Sequence, residues 1–179
     1  MRFGNGAGSI CRRSCGSGRH GALAQDNADK PACEQFTWSI KREQALFADP
    51  NIETVFSGAT LSGLPLHGVA LELQPHATVE YVLHPGREPK TPESNGGILS
   101  ISNNPKAGRY QVTLSGEAWL DIIQNGKELA AAAHSGRRDC ADVRKSVQFD
   151  LESGPLTIQV SGAAPLAIKL AILPVEQAR

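Results

Sequence analysis

The chain has 179 residues, and its 18 Lys plus Arg balance 18 Asp plus Glu, leaving no net charge. That length suits one domain with an extension and buries a sizeable core without metals. Neutrality removes the electrostatic ground for expecting nucleic acid or an anionic membrane surface, and no apolar run approaches the roughly 20 residues of a transmembrane segment.

Residues 1–24 form a leader rich in Gly, Ser and Arg. It cannot bury enough surface to order itself and reads as disordered. It ends in Ala22-Leu23-Ala24-Gln25, the small-x-small form of a signal-peptidase site. An apolar run of roughly 7–15 residues belongs upstream of such a site and is missing. The expectation is therefore a true N-terminus different from Met1, through a wrong start codon or a frame error. An apolar segment in another reading frame of the upstream DNA is the observation that decides it. Cys11, Cys15, His20 and Cys33 are of zinc-ligand type, but their spacing matches no standard knuckle. No metal or other cofactor is expected.

Residues 25–65 read as a linker and an N-terminal arm. Residues 26–31 are polar, and Cys33 follows, then Phe36, Trp38 and Ile40. Ser39 is placed to N-cap a short helix over Lys41–Phe47, which Asp49-Pro50 ends. Ile52, Thr54 and Phe56 suggest an edge strand, and residues 58–65 a loop.

Residues 66–174 read as the body. Val69, Leu71 and Leu73 alternate with Ala70, Glu72 and Gln74, and Val79, Tyr81 and Leu83 with Thr78, Glu80 and Val82, with Pro75-His76 between the two runs. Both runs predict strands. A long loop rich in Pro, Gly and charge spans 84–97, and loops of that length are functional or mobile. A short strand at 98–102 and a turn at 103–108 follow. Tyr110, Val112 and Leu114 then alternate with Gln111, Thr113 and Ser115. Val147, Phe149 and Leu151 repeat the pattern, as do Leu156, Ile158 and Val160. A period of two makes one buried face and one wet face. Asn125-Gly126, between residues 118–124 and 127–133, is the strongest short hairpin signal. Leu166, Ile168, Leu170 and Ile172 close the set. Many short strands with regular turns and almost no helix predict an all-β fold. The expected architecture is an antiparallel β-sandwich, jelly-roll-like, with a short N-terminal helix and a disordered leader.

The order of strands from Ile98 to Leu173 resembles the pre-peptidase C-terminal type of exported β-sandwich. More closely, Ala118-Trp119-x-Asp121, His134, Cys140, Arg144-Lys145 and Gln159-x-Ser161-Gly162-Ala163 resemble a group of small exported proteobacterial proteins with no established activity. The resemblance implies export to the periplasm or beyond. Some members of that group go under the name homogentisate 1,2-dioxygenase. A non-haem iron site needs two His and one carboxylate converging, and His67, His76, His84 and His134 lie in no motif that would assemble one. That activity is not expected here.

In an exported chain the leader cysteines are removed, and Cys33 and Cys140 remain. An even count in an oxidising compartment favours a disulfide; the alternative is two free thiols. Cys140 lies among Arg137, Arg138 and Arg144, which would lower a thiol pKa, but no His is positioned by sequence as its base. Trp119 and Asp121 project opposite Ala118, Leu120 and Ile122. An aromatic face beside a carboxylate suits a sugar or a peptide; the favoured alternative is that Trp119 fills the second half of the core. Arg137, Arg138, Asp139, Asp142, Arg144 and Lys145 form a mixed-sign run, read as a partner patch or as a solvated loop.

The expectation is a non-enzymatic exported sandwich that binds an envelope protein or a carbohydrate. Its candidate binding residues are Trp119, Asp121, His134, Arg137, Arg138 and Arg144. The rival is an enzyme of unknown class using His134 and Cys140, or a metal held by histidines.

Overall fold

The computed structural model describes residues 31–176. The leader, its signal-peptidase site and Cys11, Cys15 and His20 lie outside the described residues. The strands, in chain order, are β1 Glu53–Phe56, β2 Thr60–Leu61, β3 Val69–Glu72, β4 Gln74–Pro75, β5 Asn95–Asn104 and β6 Gly108–Leu114. They continue with β7 Trp119–Gln124, β8 Lys127–Glu128, β9 Ala133–Gly136, β10 Lys145–Leu151, β11 Gly154–Ala163 and β12 Ala167–Pro174. Among the described residues one α-helix, α1, covers Lys41–Phe47, after a 3₁₀ turn at Ala32–Gln35.

Two six-stranded sheets pack as a sandwich. The first has the order β1-β3-β12-β6-β10-β9; the second runs β2-β5-β11-β7-β8, with β4 also on β5. Pairing is antiparallel except at β1–β3 and β2–β5, which are parallel. The alternating apolar rows read from the sequence make the core. Val112, Leu114, Phe149, Ile158, Val160, Leu170 and Ile172 all point inward and are buried. Asn125 and Gly126 take positive φ (53° and 72°), and Gln124 pairs with Lys127 across them. This is the two-residue hairpin turn that Asn-Gly favours.

Several expectations need correction. Residues 79–83 form no strand. A 3₁₀ turn at His76–Thr78 leads into an irregular strap over 79–94. The strap's backbone is bonded to a glutamine side chain rather than to a neighbouring strand. Of the expected strand at 127–133 only Lys127–Glu128 pairs with β7; the chain then crosses to the first sheet as β9. The loop at 58–65 contains the short β2. In β1 the inward residue is Val55, while Phe56 is exposed. Ser39 stands one residue before the N-cap position, held by Ile40, and its hydroxyl accepts only from the Lys41 amide at 3.4 Å.

The largest correction concerns the second face of each sheet. Alternation predicts that face to be wet, yet Gln111, Thr113 and Ser146 of the first sheet are buried, as are Asp121, Gln159 and Ser161 of the second. A buried polar side chain is costly unless it finds a hydrogen-bond partner. The N-terminal arm supplies partners for the first sheet. Trp38 Nε1 donates to Ser146 Oγ at 3.0 Å, and the Thr37 amide to Ser135 Oγ at 3.0 Å. Gln111 Nε2 donates to Glu43 Oε1 at 2.9 Å. Phe36, Ile40 and Phe47 form a second apolar cluster with Val143 and Ala171 outside the main core.

Cys33 and Cys140 close that cluster as a disulfide, with their Cα atoms 4.8 Å apart across 107 residues of sequence. A crosslink over so long a loop removes unfolded-state entropy worth about 4–5 kcal/mol on the chain-entropy account. Replacing both cysteines by serine (Cys33→Ser with Cys140→Ser) is expected to lower the unfolding free energy by up to about that amount. Urea denaturation reads it, with the β signature in circular dichroism retained; an unchanged midpoint would show that the clasp contributes nothing.

Glu43 adds a pH dependence. Its carboxyl is fully buried, Oε2 has no partner among the described residues, and burial raises its pKa above the ordinary 4.5. Between 4.5 and the raised folded value, the native state holds more protons than the unfolded chain. Stability from this group is therefore present at low pH and lost as pH rises through the folded pKa. Glu43→Gln should melt above the unsubstituted protein at pH 7, with the gap closing as pH falls towards the ordinary carboxylate range. A gap that widens on acidification would contradict this origin.

Candidate functional site

On β7 the period of two sends Ala118, Leu120 and Ile122 into the core and leaves Trp119 and Asp121 on the outer face. On β11 it sends Ile158 and Val160 inward and leaves Gln159 and Ser161 outward. Antiparallel register places Ser161 opposite Trp119 and Gln159 opposite Asp121. Trp119 is thus half-buried on the outside of the second sheet. The favoured sequence reading, which placed it in the core, is corrected.

The strap over 79–94 lies across this outer face. Gln159 Oε1 accepts from the Val82 and Leu83 amides at 2.6 and 3.1 Å, and its Nε2 donates to the Leu83 carbonyl at 3.0 Å. Asp121 Oδ2 accepts from the Gly86 amide at 3.1 Å. Its Oδ1 accepts from Trp119 Nε1 at 2.6 Å. Both oxygens are engaged and the carboxylate is buried, so Asp121 orients the indole and anchors the strap rather than facing a ligand. Tyr81 anchors the strap's other end. Its hydroxyl lies 2.8 Å from His76 Nδ1, and burial, then the Asp121 charge, pushes its pKa up to about 12. Gly96 makes room for it: a Cβ there would fall 1.9 Å from the Tyr81 oxygen.

Beyond the strap's middle a cleft of about 550 Å³ opens between strap residues 87–91, the β6–β7 turn and the edge strand β9. Trp119 forms its apolar wall. The Arg87 guanidinium lies 5.7 Å and the Lys145 ammonium 5.3 Å from the indole centroid, within cation–π range. Lys145 Nζ also donates to the Ala118 carbonyl at 2.9 Å. Burial, then the neighbouring Arg144 charge, lowers the Lys145 pKa. Glu117 reaches across the cleft, with one carboxylate oxygen 3.4 Å from Lys90 Nζ and the other 3.3 Å from Arg144 Nη2. Those hydrogen bonds, Lys90 first, hold its pKa below the ordinary carboxylate value. Ser161 lines the same cleft; its hydroxyl is buried and has no hydrogen-bond partner among the described residues. Arg87, Lys90, Arg144 and Lys145 outnumber Glu88 and Glu117 along the lining. The site is cationic with one aromatic wall.

No family model, curated protein or solved structure matches this chain.

Of the residues singled out from sequence, Trp119, His134 and Arg144 meet in this cleft, and Asp121 accepts the N–H at the edge of its indole. Arg137 turns away. Its guanidinium donates to the Gly136 carbonyl at 2.9 Å and to the Gln35 carbonyl, tying β9 to the arm. Arg138 is exposed in the loop after β9. Cys140 is bonded to Cys33 and so offers no thiolate. His67 pairs with Glu53, His84 with Glu88, and His76 with Tyr81. Among the described residues no three His, Cys, Asp or Glu side chains form a metal-holding group. Sequence reasoning missed Arg87, Lys90, Glu117 and Ser161. For Arg87 and Lys90 the signal was present, since both sit in the long loop whose length alone marked it.

Gln159 is the strap's main fastening. Gln159→Ala leaves two amides and a carbonyl without partners, at a cost of about 2–4 kcal/mol. Hydrogen exchange at the Val82 and Leu83 amides should accelerate with that loss, and unchanged protection there would remove this glutamine from the account.

Proposed function

We propose that this chain is an exported, non-catalytic β-sandwich of the periplasm or the extracellular space that works by binding. Its ligand surface is the cleft beside Trp119, and its partner is an envelope carbohydrate or protein. The observation that carries the reading is a convergence. Trp119, Arg144 and His134 come from three separate strand regions, join Arg87 of the strap, and line one open cleft of ligand size. Asp121 fixes the indole before any ligand arrives, and a pre-oriented aromatic side chain loses little freedom on binding.

Other observations support parts of this reading. The disulfide fits an oxidising compartment. No helix among the described residues is long and apolar enough to cross a membrane. The rival mechanism through a Cys140 nucleophile lacks its thiolate, because that sulfur is spent in the crosslink.

The test is amide-resolved NMR of the disulfide-bonded protein during addition of solubilised envelope extract. Shifts are expected at residues 87–91, 117–119, 134–136 and 161–162, and Trp119→Ala should abolish them. No shifts, or shifts confined to another face, would overturn the reading.

A further inference from the structure

Glu117 marks a place for a carboxylate. Its two oxygens sit one each on Lys90 of the strap and Arg144 before β10. It is an exposed residue on the β6–β7 turn, with 58% of its side chain accessible. Exposed ion pairs of this kind contribute about 0–1 kcal/mol each. The side chain is therefore held where an anion belongs, but weakly. Arg87 and Lys145 extend the cationic lining past the indole. Ser161 lines the same cleft, with its hydroxyl buried and unpaired among the described residues.

We propose that the cleft binds a carboxylate-bearing saccharide whose acid group displaces Glu117 from between Lys90 and Arg144. The assignment rests on the binding reading above and deepens it. A uronate suits each part of the lining. Its carboxylate takes the place of the Glu117 carboxylate between Lys90 and Arg144, its hydroxyls reach the Arg87 guanidinium, and its ring lies beside the indole. A neutral sugar has no group to displace Glu117 from Lys90 and Arg144, and a simple polyanion would leave the indole unused. Glu117 acts as a tethered competitor that keeps the cations paired until a ligand with more contacts arrives.

The experiment is isothermal titration of the disulfide-bonded protein with oligogalacturonate, alongside its methyl-esterified form, dextran sulfate and polyglutamate. Oligogalacturonate is expected to bind, and to weaken as salt is raised; the ester, which has the same backbone without charge, should not bind. Arg87→Ala should weaken binding at least about tenfold, the effect of one lost charge-assisted contact. Glu117→Gln should strengthen it roughly three- to tenfold by removing the internal competitor. Arg87 and Glu117 are both exposed, so neither change threatens the fold. Equal or tighter binding of the ester, dextran sulfate or polyglutamate would overturn the assignment, and so would a Glu117→Gln protein that binds no better. If oligogalacturonate fails to bind while envelope extract still shifts the cleft amides, this inference falls and the binding reading stands. If nothing shifts those amides, both fall.

Discussion

Each sheet of this sandwich has an outer face lined with polar side chains, and each of those faces is roofed. That constraint organises the rest of the molecule. A buried polar group needs a partner, so a roof must bring donors and acceptors in register with the row beneath it. Over the first sheet the N-terminal arm does this through Thr37, Trp38 and Glu43. Over the second the strap does it through its own backbone, which Gln159 and Asp121 bind. The molecule is layered beyond its two sheets, and its outer layers are irregular chain held by side-chain hydrogen bonds.

This explains where sequence reading succeeded and where it failed. The inward rows were legible because Val112, Ile158 and Leu170 follow a period of two that only a sheet satisfies. The hairpin was legible because Asn125 and Gly126 accept positive φ. The outer rows were misread because Gln159 and Thr113 look the same in a sequence whether they face water or a roof. The strap was misread as a strand for a related reason. Val79, Tyr81 and Leu83 alternate correctly, but Tyr81 turns its hydroxyl towards His76, and the Val82 and Leu83 amides are taken by a side chain. Periodicity reports which residues want burial, not which backbone will supply it. The disulfide was legible from cysteine arithmetic once export is assumed, because Cys33 and Cys140 are then the pair left after the leader is set aside.

The candidate site was half legible for the same physical reason. Trp119, His134 and Arg144 stand out as residue types, and the structure brings them together. Arg87 and Lys90 reach the cleft only because the strap crosses the outer face, and that path depends on Gln159 and Asp121. The Trp119–Asp121 bond links the two levels. The same carboxylate that fixes the indole also holds the Gly86 amide, immediately before Arg87. The aromatic wall and the cation above it are therefore set by one buried group.

The arm and the cleft meet at β9. This four-residue strand lies at the edge of the first sheet and pairs only with β10. An edge strand so short has little hold of its own. Its position is fixed from the other side by the arm. Thr37 bonds Ser135, Arg137 reaches the Gln35 carbonyl, and the Cys33–Cys140 crosslink binds the loop that follows to the start of the arm. His134, Ser135 and Gly136 of that strand line the cleft. The crosslink thus lies outside the binding surface yet secures one of its walls. A free arm would release β9 first, because the strand's remaining ladder is a single antiparallel pairing. The cleft and the clasp, far apart in sequence, are mechanically one structure.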